Sequence, residues 1–213
     1  MFAGLTDTIS TGGPVVVVLL GLSLISIVLI LFKTLQLWSV RSGTKQRATA
    51  FELWRRGDRK AAQAATAAGK SPADRVTAYA MEALGTGFSG PALDAELTRR
   101  GNEELAQMNS YIRVLELIAM ISPLLGLLGT VLGMIQSFQE LELAEGAANA
   151  SVLAGGIWQA LLTTAAGLLV AIPAAIAATL LSSRIENAGH MIESAVGQLL
   201  LLEETQPGQK GPP

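Results

Sequence analysis

Long uncharged apolar runs alternate with charged, helix-patterned segments along this sequence. Pro14 to Phe32, Leu117 to Phe138 and Ser151 to Ser183 contain no Asp, Glu, Lys, Arg or His, and each is near or above the roughly 20 residues a helix needs to cross a bilayer. The pattern predicts three transmembrane helices, over 14–38, 117–138 and 151–183. Between the first two, 39–116 reads as a cytoplasmic region of helices separated by breakers. Asp58 ahead of "RKAAQAATAAG" and Ser71-Pro72 ahead of "ADRVTAYAMEAL" are N-cap signals, and Gly57, Gly69 and Gly85 are stops. From Pro91 the pattern runs without a strong stop into the second span, which reads as the membrane half of a longer helix. After Ser183, Ile185, Ala188, Ile192, Ala195, Leu199 and Leu202 recur at spacings of three and four, the seam of a helical bundle or coiled coil. This extends the third helix over 184–204. One three-span chain offers that seam few partners, so self-association is expected. The predicted fold class is an all-α integral membrane protein, its second and third helices extended into the cytoplasm, assembled as an oligomeric helical bundle.

Composition agrees with the membrane reading: of 213 residues 50% are hydrophobic and only 15% charged, far from a soluble domain. The chain has no cysteine and one histidine, His190, so neither a thiolate nor a histidine cluster can hold a metal or do nucleophilic chemistry. No catalytic residue, metal, cofactor or nucleic acid is expected, and the reading is not an enzyme. Charge sets the orientation: 12 of the 15 Lys and Arg residues fall between Arg41 and Arg113, and none in 1–13 or in the Glu-bearing segment 140–150. Short basic loops stay cytoplasmic, which makes 1–13 a periplasmic N-terminus, 139–150 a periplasmic loop and the C-terminus cytoplasmic. The first run lacks the basic flank of a signal peptide and reads as a retained span. Lys33 is expected to snorkel at the cytoplasmic interface and Trp38 to sit at headgroup level. The last residues, 205–213, have the composition of a disordered tail.

The second and third runs are not plain anchors. Ser122, Gly126, Thr130, Gly133 and Ser137 share one helix face, as do Gly156, Gln159, Thr163 and Gly167, with Thr164 beside them. Two readings stand: close helix packing through small residues, or a polar lumen for water or for another helix. Proton transport normally needs a titratable group within the membrane, and these runs have none. A proton-moving role therefore requires a carboxylate from another chain. Glu116, at the cytoplasmic end of the second run, is a candidate mouth residue or a solvated partner of Arg113.

"SPLLGLLGTVLGMIQSF" (Ser122 to Phe138) and "QALLTTAAGLLVAIPA" (Gln159 to Ala174) closely resemble the two signature spans of the ExbB/TolQ/MotA proton-channel family, in its three-span ExbB/TolQ-like branch. The resemblance implies a stator-type subunit of a proton-driven motor in the bacterial inner membrane. Such subunits form a pentamer around a dimer of single-span ExbD-like or TolR-like partners whose transmembrane Asp carries the proton, together with a TonB-like or TolA-like envelope-spanning protein. Thr130 and Thr164 match the family's pore threonines, with Ser122, Thr163, Gln159 and Glu116 as further proton-path candidates. Gly126, Gly129, Gly133, Gly167 and Pro173 are expected to pack against the partner helix. Gln136 and Gln159 stand where many relatives carry acids, and Ala178-Thr179 where many carry an aromatic-Asn pair. A non-conducting oligomeric scaffold in the lipid membrane is the alternative.

Overall fold

The computed structural model describes residues 2–40, 42–143 and 150–205, with the side chains of 2–12, 39, 143 and 150–152 excepted. All but the first residue of the expected tail 205–213 and the centre, 144–149, of the expected loop 139–150 lie outside the described residues. Among those described there is helix and no strand: α1 (Phe2–Gln36), a 3-10 turn (Leu37–Ser39), α2 (Thr44–Arg55), α3 (Arg59–Ala67), α4 (Pro72–Gly85), α5 (Pro91–Asn109), α6 (Ile112–Leu143) and α7 (Ala150–Glu204). Three helical stretches are long and apolar enough to cross a membrane, so the chain is an all-α, multi-pass membrane protein. It divides into two compact units, one of Met1–Lys33 with Tyr111–Leu180, the other of Thr34–Ser110 with Leu181–Pro213.

In the first unit, α1 is interrupted at Gly13, whose φ of 62° precedes Pro14. Only a residue without Cβ enters that conformation cheaply. Beyond it, Val15, Val16, Leu19, Ser26 and Lys33 are buried on one face, while Leu24, Val28 and Leu31 are exposed, as befits lipid contact. Lys33 departs from the snorkelling expectation. It is 0% exposed, and its Nζ lies 5.7 Å from the Tyr111 ring centroid and 5.9 Å from that of Phe32. Those rings themselves meet edge to face at 6.4 Å. Two aromatic faces offer the ammonium an attraction that strengthens on desolvation.

The helix expected to run on from Pro91 is broken. Helix α5 ends with Ser110 at ψ 138°, and Tyr111 takes φ 67°, the only positive φ outside glycine among the described residues. A bulky residue there costs on the order of 1–3 kcal/mol and persists only where its surroundings hold it. The Phe32 and Lys33 contacts do so. With no Gly or Pro at the joint, the sequence pattern could not show it.

The second unit has its own core. Ala50 and Trp54 of α2, Ala62 of α3, Val76, Ala80 and Met81 of α4, Leu93 and Leu97 of α5, and Ile192 and Leu199 of α7 form one cluster. Ile192 and Leu199 of the seam are thus covered by the chain's own α2 to α5, so these two positions do not by themselves call for other copies. Asp58 caps α3 by accepting from the Ala61 N–H at 3.1 Å. Ser71 and Asp74 cap α4 reciprocally, each side chain accepting from the other's backbone N–H. The Gly85 stop falls slightly late: Gly85 is the last helical residue, and Gly87, with φ 83°, makes the turn. At the far end of α7, Glu203 accepts from Trp54 Nε1 at 3.1 Å and from Arg59 at 2.7 Å, tying the helix terminus to α2 and α3. Arg75 of α4 pairs with Glu104 of α5, and that hydrogen bond raises the guanidinium above its ordinary range.

Asp74 also meets Arg47, whose Nη1 lies 2.5 Å from Oδ1 and 2.8 Å from Ser71 Oγ, with side chains only 6% and 1% exposed. Removing one member of a buried pair strands the other and costs about 3–5 kcal/mol, whereas replacing both with apolar groups costs far less. Arg47→Ala and Asp74→Ala are each expected to lower the unfolding midpoint of the purified protein markedly. The double variant Arg47→Met/Asp74→Leu should lower it less than the two singles combined, apart from about 1 kcal/mol for the lost cap. Thermal unfolding in detergent, followed by circular dichroism, measures all three.

Candidate functional site: the small-residue seam of α6 and α7

The two small-residue stripes face each other within one chain. A Cβ at Gly126 would sit 2.9 Å from the Thr163 carbonyl oxygen and 3.0 Å from Thr164 Cα. At Gly129 it would sit 2.6 Å from the Thr163 side chain, and at Gly167 2.5 Å from the Ser122 carbonyl oxygen and 3.1 Å from Gly126 Cα. Further along, Gly133 faces Ala160 and Gly156 faces Ser137. Backbones this close exclude any side chain between them, which is how glycine gives helix association in lipid its van der Waals gain.

The hydroxyls follow from that contact. Ser122 is 0% exposed and donates to the Ile118 carbonyl at 2.7 Å; Ser137, also buried, donates to the Gly133 carbonyl at 2.8 Å. Thr163, 2% exposed, lies within hydrogen-bond distance of the Ala160 carbonyl, 2.7 Å away on its own helix, and of the Gly126 carbonyl, 3.1 Å away across the seam. Thr164 reaches the same Gly126 oxygen at 3.4 Å. Thr130 donates to the Leu127 carbonyl at 2.6 Å. Among the described residues no buried side-chain nitrogen or oxygen lacks a partner.

The sequence-derived candidates therefore separate into groups. Ser122, Thr163, Gly126, Gly129 and Gly167 are buried in the seam, and Gly133 is half-buried against Ala160. Of the glycines expected to pack on a partner helix, Gly126, Gly129 and Gly133 meet α7 of their own chain and Gly167 meets α6, because the two complementary stripes are already adjacent. Thr130, Thr164 and Gln159 are half-buried, and Thr164 still turns its hydroxyl toward Gly126. Glu116 and Pro173 are exposed, and Glu116 makes no ion pair with Arg113. Sequence reasoning passed over Ala160, whose signal is its spacing between Gly156 and Thr163. It also passed over the buried Ser26 of α1, which donates to the Ser23 carbonyl at 2.8 Å. No group of three or more His, Cys, Asp or Glu able to hold a metal occurs among the described residues.

Two closely packed membrane helices whose seam is lined by glycine and threonine, without a titratable group, define a membrane bundle able to border a polar path. The pattern of the MotA/TolQ/ExbB proton channel family matches residues 68–194, and the chain belongs to that family. It is similar to Biopolymer transport protein exbB1 of Vibrio cholerae, 54% identical over 80 residues, which cover 38% of this chain and 35% of that protein. Tol-Pal system protein TolQ of Haemophilus influenzae is 39% identical over 84 residues, covering 39% of this chain and 36% of that one. Biopolymer transport protein ExbB of Salmonella typhimurium is 37% identical over 95 residues, covering 45% and 37%. The match spans between 29% and 48% of the length of such curated relatives.

The seam geometry separates glycines that must be glycine from those that need not be. Gly167→Ala would drive a methyl group against two backbone atoms and is expected to lower the unfolding midpoint and the yield of folded protein. Gly155→Ala, where an added Cβ meets nothing within 4 Å, is expected to leave both unchanged, since alanine is the better helix former. Paired melting curves of the two variants in one detergent make the comparison.

Proposed function

We propose that the chain is the stator-type subunit of a proton-driven motor in a bacterial inner membrane, with its N-terminus periplasmic and its C-terminus cytoplasmic. Several copies, five by the family resemblance, surround two copies of a single-span ExbD/TolR-like partner. Proton flow between them does mechanical work on the envelope or on transport, through a TonB-like or TolA-like protein. The observation that carries this reading is the combination of half-buried threonines beside the seam with membrane runs that hold no titratable residue. A hydroxyl can order water and pass a hydrogen bond along, but it cannot hold a proton as its own charge near neutral pH. The acid then comes from the partner's membrane Asp. Each charge crossing the field releases about 2.3 kcal/mol per 100 mV, so repeated passages supply work.

Thr130 and Thr164 are the path residues in this reading. Thr163 bonds across from α7 to α6, Ser122 is buried in the same seam, and Gln159 and Glu116 flank the path near its two ends. A non-conducting scaffold has one observation in its favour: the intramolecular seam already accounts for Ser122, Gly126, Gly133 and Thr163 by packing alone.

Valine nearly keeps the shape of threonine without its hydroxyl, and serine keeps the hydroxyl without the methyl. Thr130→Val and Thr164→Val are expected to assemble at normal yield yet lose partner-dependent activity, while Thr130→Ser and Thr164→Ser retain a substantial part. A lost hydrogen bond in the membrane costs only about 0.6–2 kcal/mol, so assembly serves as the control. Proton flux in liposomes and complementation, at matched yield of complex, are the readouts. Valine variants as active as wild type would favour the scaffold.

A further inference from the structure

The second unit carries two faces that complement each other but belong to different helices. The segment 44–70, containing α2 and α3, holds seven basic and two acidic residues. Arg47, Arg55 and Arg59 are committed to Asp74, Glu52 and Glu203. Lys60 and Lys70 are exposed without an ion pair, and between them Ala64 and Ala67 form an exposed, small-residue strip on α3. Elsewhere in the unit, α5 and the end of α7 enclose an open groove of about 300 Å³. Leu97, Leu105 and Val196 are among its walls, Gly101 and Gly197 are in its lining, and Asp94 and Glu193 stand at its edge. The other acids of α5 are neutralised, Glu96 and Glu103 by Arg99, and Glu104 by Arg75. Asp94 has no cation, and Glu193 has only His190 at 3.8 Å.

We propose that this groove is the seat of α3 from a second copy of the same chain, with Lys60 and Lys70 of one copy meeting Asp94 and Glu193 of the next. Two observations converge on that occupant. The charges are complementary, and each set lacks a strong partner within its own chain, which favours encounter in one orientation. The side chains are also compatible: the small alanines of α3 would meet a channel whose lining includes Gly101 and Gly197, which permits close helix approach. Because the donor and receiver faces differ, the contact is head-to-tail, and such contacts close into rings when the rotation permits. This deepens the multi-copy reading proposed above and rests on it.

The test exploits a chain without cysteine. Ala64→Cys and Thr98→Cys chains carrying different tags are co-expressed, oxidised in the membrane and probed for a disulfide joining the two tags. A strong heterodimer band is expected, with none for either variant expressed alone. Adding Gly197→Leu to both chains should reduce the band about tenfold or more. A Cβ at Gly197 meets nothing within 4 Å, so the protomer folds while its groove is filled. Lys60→Glu should weaken the band and Lys60→Glu with Asp94→Lys restore it. Native mass spectrometry of the same samples separates the two levels of the argument. A multimer without the cross-tag disulfide, unaffected by Gly197→Leu, overturns the groove assignment and leaves the multi-copy reading intact. A monomer across several mild detergents overturns both. Loss of a co-purifying single-span protein on Gly197→Leu, with the multimer intact, assigns the groove to that protein and overturns the proposal.

Discussion

The close approach of α6 and α7 at Gly126, Gly129 and Gly167 is the constraint from which the membrane unit follows. Lipid gives apolar helices no hydrophobic reason to associate, so the gain comes from van der Waals contact over a long face and from a few hydrogen bonds. Threonine 163 sits where that contact is tightest, against Gly126 and Gly129. Once the backbones are this near, the neighbouring positions Thr130 and Thr164 are carried to the borders of the seam. Function in this account uses what packing leaves over: the two threonines beside the seam, rather than those inside it.

A second constraint acts on the other unit. The buried Arg47 ties Ser71 and Asp74 together at the start of α4, and Glu203 ties the end of α7 to Trp54 and Arg59. These polar contacts fix which helices cover the apolar seam of α7. With Ile192 and Leu199 covered within the chain, contacts with other copies in this unit fall on the surfaces left over, the groove between α5 and α7 among them.

Much of this was legible in the sequence, and the remainder was not for definite physical reasons. Charge-free runs announced three spans, and Asp58 and Ser71 announced their helix starts because capping is chemistry local to a few residues. The 3.6-residue periodicity placed Ser122, Gly126 and Gly133 on one face, and Thr163 and Gly167 on another, but periodicity names a face without naming its partner. The same is true of Ile192 and Leu199, whose partners proved to lie in α2 to α5. The break at Ser110 and Tyr111 left no mark at all, since it depends on Phe32 and Lys33, nearly eighty positions away in the chain. Lys33 itself was misread because a basic residue at the end of a span ordinarily reaches for water, and here it finds two aromatic rings.

The central claim is that packing and hydroxyls come from this chain while the proton-holding group does not. Proton flux into liposomes carrying a pH-sensitive dye, measured with the purified chain alone and again with an active single-span partner co-reconstituted, tests it most directly. The account predicts vesicles that are nearly proton-tight with the chain alone and leak under an imposed potential when the partner is present. Robust proton flux through the chain by itself would contradict it.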